Sequence, residues 1–82
     1  MLPITVKLFA IYQETLGCGD LHLTLPVGST VGSILDRLIT DYPELESWRE
    51  VTRFGINLEF VKSDTLLQPG DEVVLIPPVS GG

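Results

Sequence analysis

Apolar and polar residues alternate from Ile4 to Leu8, with Ile4, Val6 and Leu8 set against Thr5 and Lys7. A period of two predicts a strand. Phe9 then falls on the opposite face from those three apolar residues. The alternation is lost from Ala10 to Leu16, where Tyr12 and Leu16 stand four apart and Gly17 follows. That spacing predicts a short helix with a glycine stop. Leu21, Leu23 and Leu25 alternate with His22 and Thr24 in a second strand, which Pro26-Val27-Gly28 ends with turn chemistry. Val31, Ile34, Leu35, Leu38 and Ile39 follow the i, i+3, i+4, i+7 stripe of an amphipathic helix. A hydroxyl of Thr30 or Ser29 is expected to cap it. Gly32-Ser33 should weaken its start, because glycine costs ~1 kcal/mol in a helix interior. Pro43 disfavours helical geometry at Tyr42 and ends the helix there.

Glu44 to Arg53 carries mixed charge and Trp48, and reads as a loop or a frayed helical turn. Phe54 to Val61 reads as one or two short strands broken near Asn57. Pro69-Gly70-Asp71 is a turn. Glu72 to Ile76 is almost continuously apolar, which suits a central strand beside the first one. Pro77-Pro78 stops it, since neither residue donates a ladder hydrogen bond. The implied architecture is an α+β roll, a small mixed sheet covered on one face by one main helix. Val73 and Leu75 would then join Ile4, Val6 and Leu8 in the core, and Val74 and Ile76 would point away. Phe9, Phe60 and Ile76 clustered at the same end would mark an interaction surface. Trp48 is expected to cover the core edge, His22 to face solvent, and Asn57 and Asp71 to support turns.

Eighty-two residues, with no repeats or linkers, allow a single domain over residues 1–82. Eleven Asp and Glu against five Lys and Arg give a net charge of −6. Such a surface argues against nucleic acid, which needs a basic footprint, and against anionic membranes. It favours a partner with a basic docking surface. Asp41, Glu44, Glu46 and Glu50 read chiefly as a solvated face. The one cysteine, Cys18, can form neither an internal disulfide nor a cysteine zinc site, and a lone His22 builds no metal site. No metal or bound cofactor is expected. With no apolar window of ~18 residues and no secretory leader pattern, the expected location is the cytoplasm.

The chemistry falls to the last six residues, Pro77-Pro78-Val79-Ser80-Gly81-Gly82. They are expected to form a flexible tail that leaves the sheet stiffly at the double proline and loosens at its tip. Without Cβ atoms, Gly81 and Gly82 can thread a narrow channel and deliver a main-chain carboxylate to a remote site. A carboxylate is a poor acyl donor, so it needs activation, for example as an acyl adenylate.

Across essentially its whole length the chain resembles the family of small, sulfur-carrying subunits of molybdopterin synthase, which are ubiquitin-like β-grasp proteins. The resemblance is carried by Val6-Lys7-Leu8-Phe9-Ala10 and Gly17, by Thr30-Val31 with Leu35 and Leu38, and by Ile56-Asn57. Its most specific part runs from Gly70-Asp71-Glu72-Val73 to Ile76-Pro77-Pro78-Val79-Ser80-Gly81-Gly82. The resemblance implies that an E1-like enzyme uses ATP to adenylate the Gly82 carboxylate and that a sulfur donor converts it to a thiocarboxylate. The tail then enters the large subunit and gives its sulfur to precursor Z (cyclic pyranopterin monophosphate), making the molybdopterin dithiolene. Gly82 is the carrier residue and Gly81 the thin approach; the chain supplies no general acid or base. Phe9, Phe60, Ile76, Pro77, Pro78, Val79 and Ser80 would contact partners, in a heterotetramer of two small and two large subunits. A carrier for thiamin thiazole or tungsten cofactor assembly, or a ubiquitin-like modifier of lysines, would have a similar tail.

Overall fold

The computed structural model describes residues 1–78. Five strands form one mixed sheet: β1 (Leu2–Leu8), β2 (Asp20–Leu25), β3 (Arg53–Ile56), β4 (Glu59–Val61) and β5 (Glu72–Ile76). Their order across the sheet is β2-β1-β5-β3-β4, with β5 parallel to β1 and the other pairs antiparallel. The last strand is therefore central, as its apolar run implies. Helix α1 (Ile11–Leu16) follows β1, and helix α2 (Val31–Asp41) crosses one face of the sheet. This is the β-grasp arrangement of the α+β class.

Alternation decides which residues enter the core. Register aligns Val6 with Leu21 on one side and with Val73 on the other, and Leu8 with Leu75, which aligns in turn with Phe54. Val6, Leu8, Val73, Leu75 and Phe54 are buried under α2 with Val31, Ile34, Leu35, Leu38 and Ile39. Each such side chain contributes ~1.5–3 kcal/mol on burial. Tyr12, fully buried from α1, closes one end of this core, and half-buried Trp48 packs against it. Gly17 terminates α1 in the left-handed region at φ 78°, where its N–H bonds the Gln13 carbonyl at 2.8 Å.

The start of α2 departs from the sequence expectation. Thr30 occupies the N-cap position, but no side-chain cap hydrogen bond forms, and Ser29 Oγ donates instead to the Pro26 carbonyl. Two N–H groups of the first turn find main-chain partners in the distant 63–67 segment, while that of Ser33 donates to the Thr30 carbonyl at 3.1 Å. Val31 N–H donates to Thr65 O at 2.9 Å and Gly32 N–H to Ser63 O at 2.8 Å, beside a Thr30–Leu66 bridge. Gly32 is thus a close-approach position and not a weak point. A Cβ there would lie 2.9 Å from Ser63 O and 3.1 Å from Ser63 Cβ.

Helix α2 stops before Pro43, as expected. Of the two expectations for the following segment the helical turn holds, as a 3₁₀ helix over Pro43–Trp48, and Arg53 already begins β3. Thr52 receives a hydrogen bond on its hydroxyl from buried Tyr12. Its own single hydroxyl hydrogen goes to the Trp48 carbonyl at 2.8 Å, so Tyr12 is the donor in the pair. Burial pushes the Tyr12 hydroxyl above its ordinary ionisation range, and the Thr52 hydroxyl opposes this less strongly. Among the described residues no helix is long and apolar enough to cross a membrane.

Candidate functional site

The sheet face opposite α2 carries the candidate docking residues. On β5, Val74 and Ile76 point away from the core and are half-buried. Gly55 on β3 aligns with Val74 on one side and with Phe60 of β4 on the other. Lacking a side chain, Gly55 leaves the floor open between Phe60 and Val74. The result is an apolar groove of about 220 Å³ lined by Gly55, Leu58, Glu59, Phe60, Val74 and Ile76. A second groove of about 410 Å³ lies between Phe9, Trp48, Ile76 and Pro78. Ile76 belongs to both, so the fold does bring Phe9, Phe60 and Ile76 to one connected surface. Phe9 is 51% exposed and Phe60 75%, far more than packing requires of aromatic residues.

The connection between β3 and β4 shapes this surface. Asn57 and Leu58 form the turn with φ of 49° and 74°. Two successive positive values define the tight hairpin turn that normally carries Asn-Gly. Asn57 tolerates the left-handed region; a leucine there is strained by ~1–2 kcal/mol. Leu58 is nonetheless 94% exposed beside the groove. The Asn57 carbonyl oxygen Oδ1 accepts from Glu72 N–H at 3.1 Å, and its Nδ2 donates to Asp71 Oδ1 at 3.2 Å. Buried Asp71 also accepts from Gln68 N–H at 2.8 Å. The turn is thereby tied to the start of β5, which explains the expected roles of both residues. Leu58 and Gly55 were not among the sequence candidates. Neither shows in the local pattern: Leu58 stands alone in a turn, and the place of Gly55 depends on strand register.

The remaining candidates fall as follows. Pro77 is buried, so its ring offers little surface, whereas Pro78 is exposed. Val79, Ser80, Gly81 and Gly82 lie outside the described residues. Cys18 is half-buried against the core, and exposed His22 has Nδ1 3.4 Å from the Thr5 hydroxyl. Asp41, Glu44, Glu46 and Glu50 are exposed. On the helix side Arg49 bonds Glu46, with Nη2 3.0 Å from its carboxylate, and also Asp36; these bonds, Glu46 first, hold its guanidinium proton more firmly than usual.

The ThiS family model matches residues 6–82, which include Gly81 and Gly82. The molybdopterin synthase sulfur carrier subunit of Arabidopsis thaliana is 40% identical over 81 residues, covering 99% of this chain and 84% of that one. The crystal structure of Haloferax volcanii small archaeal modifier protein 1 superposes with a TM-score of 0.82 at 30% identity, covering 96% of this chain and 100% of that one. In a complex of subunits 1 and 2 of the molybdopterin-converting factor from Helicobacter pylori 26695, one chain shares the fold at TM-score 0.66 and 22% identity, covering 99% of this chain and all of that one.

Proposed function

The chain belongs to the ThiS family, and on that premise we propose that it is the sulfur carrier subunit of a molybdopterin synthase. The observation that carries the reading is the family match running through Gly82, together with 40% identity to a carrier subunit over nearly the whole chain. In this reading the Gly82 carboxylate attacks the α-phosphorus of ATP on an E1-like enzyme, giving an acyl adenylate and releasing pyrophosphate. The terminal sulfur of a persulfide donor then displaces AMP to give an acyl disulfide, and a thiol reduces its S–S bond, releasing the donor as a thiol and leaving the thiocarboxylate. The large subunit admits the tail, and the thiocarboxylate sulfur passes to precursor Z. Hydrolysis returns the carboxylate for another cycle.

The fold supports this division of labour. β5 sits at the centre of the sheet, paired on both sides, so the chain leaves towards its last residues from a firmly held strand. The apolar grooves around Ile76 adjoin that exit and suit a partner that must hold the domain while the tail is used. The test is reconstitution. The purified chain, an E1-like enzyme, ATP and a sulfur donor are combined with large subunit and precursor Z. Molybdopterin should form with the intact chain and not with a chain lacking Gly82. Equal product from both would refute the assignment.

A second reading has a specific observation behind it, the likeness to a small archaeal modifier protein. In that role the activated Gly82 carbonyl would be attacked by a lysine amine, forming an isopeptide bond. Lysine conjugates of the tagged chain in cells, abolished by Gly82 deletion, would establish it.

A further inference from the structure

Three of the five cations of this acidic chain gather at one end of the sheet. Arg49, Arg53 and Lys62 line a cavity of about 650 Å³ that also touches Phe60. A neighbouring cavity of about 660 Å³ holds Arg53 together with Ile76, Pro77 and Pro78. The two share Glu50, Thr52 and Arg53, so Arg53 stands between the apolar docking surface and the root of the tail. Its Cα partner across the ladder is Ile76, the last residue of β5. Arg49 is already engaged by Glu46 and Asp36. Exposed Arg53 and Lys62 make no ion pair among the described residues.

We propose that Arg53 is a docking cation that selects the partner receiving the tail, by pairing with a single carboxylate on the rim of that partner's tail channel. This rests on the carrier reading above and deepens it. A guanidinium beside an apolar anchor matches a carboxylate bidentately, which fixes orientation as well as adding attraction. Glu50 and Asp64 in the same walls disfavour a polyanion and leave one carboxylate as the fitting group. The acidic field of the whole domain draws it toward basic surfaces. A uniformly basic surface would nevertheless set a cation against Arg53, and that like-charge contact rejects it. Long-range attraction and local selection thus have opposite signs, and charge reversal separates them.

The test compares Arg53→Glu, Arg53→Lys and Arg37→Glu. Arg37 is exposed on α2, away from these cavities, and both reversals take the net charge from −6 to −8. Binding to the molybdopterin synthase large subunit is measured by calorimetry at several salt concentrations, with thermal melts confirming each fold. Arg53→Glu should weaken binding by about tenfold or more, Arg53→Lys by about twofold, and Arg37→Glu should leave it unchanged or tighter. Equal effects of the two reversals, or unchanged affinity of Arg53→Glu, would overturn the docking role while the carrier reading stands. Failure of the unmodified chain to bind the large subunit at all would overturn the carrier reading, and the docking role with it.

Discussion

Replacing Gly32 with alanine sets two physical effects against each other, and only the three-dimensional structure says which wins. Helix propensity favours alanine by ~1 kcal/mol. Against it, the new Cβ would lie 2.9 Å from Ser63 O, where ordinary contacts begin near 3.4 Å. That oxygen is main chain and also accepts the Gly32 N–H at 2.8 Å. It cannot retreat without lengthening this bond, and its neighbours are held by Val31 N–H to Thr65 O at 2.9 Å and Leu67 N–H to Ser29 O at 3.0 Å. Overpacking of this kind costs ~1–3 kcal/mol, and a weakened hydrogen bond adds ~0.5–1.5 kcal/mol. The net loss is ~0.5–3.5 kcal/mol, which for a domain of this size lowers Tm by about 2–28 °C. Circular-dichroism melts and urea titrations of Gly32→Ala read it directly. Gly19→Ala is the control, because its nearest atom is Gln13 Nε2 at 3.8 Å. It should be neutral or gain up to ~1 kcal/mol through the unfolded state. A Gly32→Ala protein that melts at or above the unmodified chain would refute the close-approach argument.

Other outcomes follow from the same geometry. Phe60→Asp should weaken large-subunit binding by about tenfold or more and shift Tm little, since Phe60 is largely exposed; calorimetry showing unchanged affinity would remove it from the docking surface. Leu58→Gly should relieve the left-handed strain and stabilise the domain by about 1 kcal/mol while weakening docking; a variant that unfolds at lower urea than the unmodified chain would contradict the strain at this turn. The Tyr12 ionisation is raised on folding, so its contribution is complete below the unfolded value of about 10 and is lost as pH rises through the folded one. Stability should hold level up to about pH 10 and fall above it, less steeply in Tyr12→Phe; identical alkaline slopes would contradict a buried, proton-donating Tyr12.

Much of the fold can be read from local spacing. The Val31 to Ile39 stripe, the alternation in β1 and β2, and the apolar run of β5 each report burial on one face or both, and each element forms where its pattern lies. What the sequence hides is contact between segments far apart along the chain. Gly32 looks like a poor helix residue until Ser63 is seen against it. Thr30 and Ser29 are good caps by type, yet the 63–67 segment reaches the first turn before their hydroxyls do. Register is also hidden: that Gly55 falls between Val74 and Phe60, and so opens a groove, depends on pairings that no local pattern specifies. The exposed aromatics were legible because Phe9 and Phe60 break the core pattern. Leu58 was not, because an isolated leucine in a turn gives no such break.

In the proposed carrier role the carboxylate of Gly82 is the sulfur-bearing group. Its most direct measurement is the intact mass of the chain purified from cells making the molybdenum cofactor. A second species heavier by about 16 Da, the difference between sulfur and oxygen, is expected, converted back to the carboxylate by hydrolysis and mapped by fragmentation to Gly82. A chain recovered only as the carboxylate while molybdopterin synthesis proceeds through it, or the added mass mapped to Cys18, would contradict it.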